Sequence, residues 1–245
     1  MVIMLPPRAQ DLVDRYTDRM DRESPGLLQG LYLVGSVALD DFHDEVSDVD
    51  FVAVAENPDP ESLRKVHEGL EKFDGLYVTF EDLRTSPSKV PPGHFQLEGE
   101  LKTGDEGRSP VEWITLANYG VTIRGPRPAE LDVHADPEEL REWVRGNANS
   151  YWRQWLDDPS DLIYDAAIAW TVLGISRLHY SLVTGDITSK SGAGHHAIKA
   201  FPEHRAVIEE ALRHRTSPIA RPEHPDLDRQ AAAVAYLEEA IASFG

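Results

Sequence analysis

The spacing of apolar positions changes along the chain, and each change marks an element. Between residues 7 and 23, Leu12, Val13, Tyr16 and Met20 recur at helical intervals until Ser24-Pro25-Gly26 interrupts, which predicts an amphipathic helix. Leu31-Tyr32-Leu33-Val34 is a short apolar run stopped by Gly35-Ser36, a strand entering a turn. Asp48 to Ala55 alternates at first and then becomes continuously apolar, the pattern of a central buried strand. Asp59 to Phe73 carries helical spacing at Leu63, Val66 and Leu70, and Gly75 to Glu81 reads as a third strand of period two. The stretch Thr85 to Gly93 is rich in proline, and Gly125-Pro126-Arg127-Pro128 suggests a boundary. Beyond residue 133 the periodicity is helical throughout: 137–156, 161–184, 193–199, 202–213 and 226–243, with turn signals at Asp158-Pro159, Gly185-Asp186 and Ser217-Pro218. The expected fold is an α/β N-terminal domain over residues 1–133, a mixed sheet with helices, followed by an all-α helical-bundle domain over residues 134–245.

Composition narrows the classes. The 245 residues are 41% hydrophobic and include no cysteine, so a thiolate nucleophile, a disulfide framework and a Cys-ligated zinc are excluded. Ala166 to Ile175 is the longest mostly apolar stretch, well short of a membrane span. Met1-Val2-Ile3-Met4-Leu5 has no basic flank and meets Pro6-Pro7, so it does not read as a signal peptide, and a cytoplasmic location is expected. Charge changes the picture more. Forty-three acidic residues against 24 Lys and Arg give a net charge of −19, which repels nucleic acid and favours cationic partners. An anionic ligand then needs a local nest, a few basic residues or a metal ion.

One constellation meets that need. Gly35-Ser36 is followed, eleven residues after Ser36, by Ser47-Asp48-Val49-Asp50, in the order strand, turn, helix, strand. Period two places Asp48 and Asp50 on one strand face, where they can share a hard cation. Ser36 offers a hydroxyl and backbone N–H groups to a phosphate. Together these parts suit a magnesium-bound nucleoside triphosphate.

The string LYLVGSVALDDFHDEVSDVDFVAV resembles the Gly-Ser…Asp-X-Asp signature of the nucleotidyltransferase superfamily. More narrowly, SRLHYSLVTGDITSK at residues 176–190 is similar to a segment of the bacterial aminoglycoside adenylyltransferases that modify streptomycin and spectinomycin. The resemblance implies AMP transfer from ATP, with Arg177 and Lys190 binding the nucleotide and a cationic small-molecule acceptor held between the domains. Gly185 as a helix C-cap and Ser191 as the opening of the next helix would set Lys190 at a helix N-terminus. Where the family carries its basic glutamate, this chain has Tyr77, and where it carries a drug-stacking tryptophan, this chain has Leu101. Tyr77, Thr79 and Glu81 share one face by period two, so Glu81 is the expected replacement base. The reading is therefore magnesium at Asp48 and Asp50, the triphosphate at Gly35, Ser36, Ser47, Arg177 and Lys190, and Glu81 assisting the acceptor hydroxyl. The alternatives are a nucleotide-binding protein without transfer and adenylylation of a protein partner.

Overall fold

The computed structural model describes residues 4–216 and 227–245; the Ser217-Pro218 turn signal, Asp226 and the first three residues lie outside them. The chain divides into two compact units, Met1–Asp136 and Pro137–Gly245, three residues beyond the boundary expected from the sequence.

The first unit is built on a six-stranded mixed sheet. Helix α1 (Pro7–Glu23) starts on a proline at its first turn and buries Ala9, Leu12, Val13, Tyr16 and Met20 along one stripe. Strand β1 (Leu28–Leu33) leads into the single turn α2 (Gly35–Ala38), and β2 (Val49–Ala55) returns antiparallel beside β1. Helix α3 (Pro60–His67) is capped by Asp59, whose carboxylate accepts the Ser62 N–H at 2.9 Å. It carries the chain to β3 (Phe73–Val78), parallel to β2. Thr79 and Asp82 then form a reciprocal capping box that ends the strand and starts α4 (Phe80–Arg84). The proline-rich stretch is followed by the hairpin of β4 (Gly93–Leu97) and β5 (Glu100–Gly104). Its two-residue turn, Glu98-Gly99, has φ of +52° and +79°, the double left-handed geometry that matches strand twist. Helix α5 (Pro110–Tyr119) and β6 (Val121–Arg124) complete the strand order β5-β4-β3-β2-β1-β6.

Each central strand feeds two cores. Val49, Phe51, Ala53 and Ala55 face the layer of α1 and α3 with Phe73 and Tyr77. Val52 and Val54 face the opposite layer with Leu76, Val78 and Trp113. Double burial explains why β2 loses its alternation in the sequence.

The second unit winds around one apolar helix. Helix α6 (Pro137–Asn147) passes through a π-turn at Ala148–Trp152 into the short α7 (Gln154–Asp157). Helix α8 (Asp165–Thr184) follows, closed by Gly185 at φ +71°. It packs against α6, α9 (Lys190–Ala200), α10 (Arg205–Thr216) and α11 (Leu227–Ala242). By length and composition α8 passes the test for a membrane-crossing helix, as the core helix of a globular protein also does, and half of that window is buried. The Cβ that Gly174 lacks would sit 2.0 Å from Trp152, so the small residue lets the indole seat against α8.

Tyr77 belongs to the core. Its hydroxyl accepts from Tyr16 at 2.9 Å and pairs with His67 Nε2 at 2.7 Å, all three side chains being buried. Burial lowers the His67 pKa to about 3 and raises both phenols, so the chain of three is neutral. A carboxylate at this place would be desolvated among buried aromatic rings. Tyr77→Glu is expected to cost about 3–5 kcal/mol in urea denaturation, against about 1–2 kcal/mol for Tyr77→Phe, which loses only the hydrogen bonds.

Candidate functional site

Parallel pairing of β2 and β3 sets Asp50 directly beside Asp74 in register. In adjacent parallel strands such partners share a face, here the face of Val52 and Leu76. Asp48 lies one residue before β2, and its charge is felt at Asp74. Three carboxylates therefore crowd the head of two neighbouring strands. Burial first, and then the Asp48 charge, raise the Asp74 pKa to about 6, while the Glu98 N–H donated to Asp74 Oδ1 at 3.1 Å opposes the rise.

The β1–α2 turn folds over this group. Gly35 has φ of +54°, and a Cβ there would lie 1.9 Å from Asp50 Oδ2, so only glycine permits the approach. The Val34 N–H donates to the Asp50 carbonyl at 2.9 Å, and the Ser36 hydroxyl to the Asp48 carbonyl at 3.4 Å. A cavity of about 130 Å³ opens beside them, lined by Asp50, Asp74, Phe95, Glu106 and Glu112 among others. Oxygen-only donors of this kind suit magnesium, and a cation would relieve the repulsion recorded at Asp74.

The sequence-based assignments meet different fates here. Gly35, Ser36, Asp48 and Asp50 come together. Ser47 is buried, and its hydroxyl accepts the His43 N–H at 3.0 Å while its carbonyl accepts from Arg8, so it shapes the loop that delivers Asp48. Glu81 does not lie on the strand: the capping box ends β3 at Val78, and Glu81 sits exposed in the first turn of α4. Tyr77 points into the opposite layer, as does Leu101, which packs against the same core. Asp74 is the residue that sequence reasoning missed, because the third strand was started at Gly75 instead of Phe73. The signal was present: Val49-Asp50-Phe51-Val52 and Phe73-Asp74-Gly75-Leu76 share an apolar–Asp–X–apolar pattern at the heads of two paired strands.

In the helical unit, Arg177 lies on α8. Lys190 is the first residue of α9, whose N-cap is Ser189, two residues before the expected Ser191; the Ser189 hydroxyl accepts the Gly192 N–H at 3.1 Å. The Lys190 ammonium lies over the Trp170 ring, 4.6 Å from its centroid. Asp165 is buried and paired with Arg229, a structural role.

Residues 13–91 match the family described as nucleotidyltransferase domain, and residues 147–240 match that described as aminoglycoside adenylyltransferase, C-terminal domain. The two matches cover the Gly35-Ser36…Asp48-X-Asp50 group and the Arg177–Lys190 segment respectively. Among solved structures, the chain is similar to spectinomycin adenyltransferase AAD(9) from Enterococcus faecialis, determined with ATP and spectinomycin. The identity is 16%, the TM-score 0.71, and the alignment covers 95% of this chain and 99% of that one, a likeness of fold. No match is found among curated protein sequences.

Asp74 also makes a stability prediction. A carboxylate whose folded pKa is raised lets the native state hold its proton more tightly than the unfolded chain, so its ionisation lowers stability as pH climbs from about 4 through about 6. In metal-free buffer, Asp74→Asn should therefore raise Tm at pH 7.5 and leave it nearly unchanged at pH 4, as read by calorimetry.

Proposed function

We propose that this chain, a nucleotidyltransferase resembling the aminoglycoside adenylyltransferases, transfers AMP from ATP to a hydroxyl of a small cationic acceptor of the aminoglycoside type, with magnesium. The observation that carries the reading is the convergence of Asp48, Asp50 and Asp74 beneath the Gly35-Ser36 turn.

Asp48 and Asp50 would hold the metal, which would supply positive charge to the triphosphate. Gly35 and Ser36 offer backbone N–H groups and a hydroxyl to the phosphates, and Arg177 and Lys190 add cationic contacts. Asp74 replaces Glu81 as the base. It accepts the proton of the acceptor hydroxyl as that oxygen bonds to the α-phosphorus, and the bond from the α-phosphorus to the bridging oxygen breaks to release pyrophosphate. Alignment and charge neutralisation account for most of the acceleration in such a transfer. Glu106 and Glu112, which line the same cavity, favour a cationic acceptor, as does the net charge of −19.

Incubation with ATP, magnesium and a panel of aminoglycosides should yield one product heavier by an adenylyl group in mass spectrometry; no product from any acceptor would overturn the reading. Asp74→Asn should lower turnover by about 100-fold or more with ATP affinity nearly unchanged, whereas Glu81→Gln should have little effect. Asp48→Asn and Asp50→Asn should each abolish the magnesium dependence of ATP binding in calorimetry. Arg177→Ala and Lys190→Ala should each weaken ATP binding more than AMP binding.

A further inference from the structure

Gln96, in β4, is a polar side chain buried without an obvious reason. It is 2% exposed, and among the described residues neither its amide nitrogen nor its amide oxygen has a hydrogen-bond partner. Such a group costs stability unless something else supplies the missing partners. Strand register shows which way it faces. Gln96 pairs with Gly75, itself paired with Phe51, and on its other side with Leu101; Phe51 and Leu101 both pack on the α1 and α3 side of the sheet. Phe95, one residue earlier, packs into the opposite layer, as alternation requires. Gln96 therefore stands across the sheet from Asp50 and Asp74.

A cavity of about 570 Å³ opens on that side, within the first unit. Gln96, Gly99 and Leu101 line it from the hairpin, and His67 and Leu70 from the end of α3 and the loop behind it. His67 is buried too, and its Nδ1 has no partner among the described residues. Because Tyr77 accepts from Tyr16, its own hydrogen goes to His67 Nε2, and the neutral ring carries its proton on Nδ1. The wall thus offers two donors, the Gln96 amide N–H and the His67 Nδ1–H, and one acceptor, the Gln96 carbonyl. All are uncharged. The exposed charges that also line the cavity are of both signs, Arg64 and Lys65 with Glu68, Glu71 and Glu100, so they select neither an anion nor a cation.

A ligand that answers this wall brings two acceptors and one donor, and no charge at the edge it buries. A planar cyclic imide has that arrangement, an N–H between two carbonyls. We infer that this cavity is a binding site for a neutral, planar heterocycle that presents a cyclic imide edge to Gln96 and His67. The imide N–H meets the Gln96 carbonyl, and the flanking carbonyls take the Gln96 and His67 donors. The volume suits a compound of one or two fused rings, with Leu70 and Leu101 supplying apolar surface. The inference does not depend on the transferase reading, since the Asp48, Asp50 and Asp74 group takes no part in it.

Theobromine and caffeine test the edge directly, because they differ by one methyl group on the imide nitrogen. Theobromine should bind the parent protein in titration calorimetry and raise its Tm, and caffeine should bind about tenfold more weakly or less. In Gln96→Leu, and in Gln96→Met, which keeps the side-chain length, the free protein should melt at a higher Tm than the parent, because an amide without a partner has been removed. Theobromine should lose its effect on both variants. No binding of theobromine to the parent overturns the site, and equal binding of caffeine overturns the imide edge. Undiminished binding to the variants places theobromine elsewhere and overturns the role of Gln96. A lower Tm in both variants shows an amide already satisfied within the free protein, which overturns the inference as well.

Discussion

Asp50 and Asp74 are held side by side by backbone hydrogen bonds that neither carboxylate can loosen. The β2–β3 ladder fixes their register, and six consecutive residue pairs would have to slip to separate them. Slippage by one residue would turn Phe51, Ala53, Phe73 and Tyr77 out of one core and Val52, Val54, Leu76 and Val78 out of the other. The apolar layers thus enforce an electrostatically unfavourable arrangement at the strand heads. The packing of the sheet holds Asp74 where burial first, and the Asp48 charge second, raise its proton affinity.

The sequence carried the architecture because the pattern of burial is written in side-chain type. The doubly buried β2, the amphipathic α1 and the Gly185 stop on α8 were each legible from spacing and caps. The β4–β5 hairpin was not. It begins within a proline-rich stretch, and β5 is a mostly polar edge strand with Glu100, Lys102 and Thr103 exposed, so hydrophobic periodicity has little to report. The Asp48–Asp50 pair was legible because the two residues are neighbours in sequence; Asp74 is their neighbour only through strand register. Glu81 was assigned to a strand because period two continues through Thr79, yet the Thr79–Asp82 capping box outweighs that alternation and turns the chain into a helix. A local hydrogen-bond motif overruled a hydrophobic pattern, and with it went the face on which the base was sought.

Acidity serves two purposes that composition alone does not separate. Asp165 and Glu210 are consumed in holding Arg229, and Asp21 in pairing with Arg124. At the strand heads the Asp48 charge falls instead on Asp74, which lies beside Asp50 in register. The same net charge therefore includes acids that meet a cation within the fold and acids that meet another acid.

The turn of the edge hairpin acts on Asp74 through two opposed contacts. The Glu98 N–H donates to the Asp74 carboxylate and lowers its proton affinity, while the Glu98 side-chain charge raises it. Both come from one residue at positive φ in a two-residue turn, a backbone state that a β-carbon tolerates reluctantly. The basicity of a carboxylate in the middle of the sheet is thus trimmed from its rim. Variation at the hairpin tip, far from the Gly-Ser and Asp-X-Asp residues in the chain, becomes a route by which related proteins could shift their working pH while leaving every ligand-contacting side chain untouched.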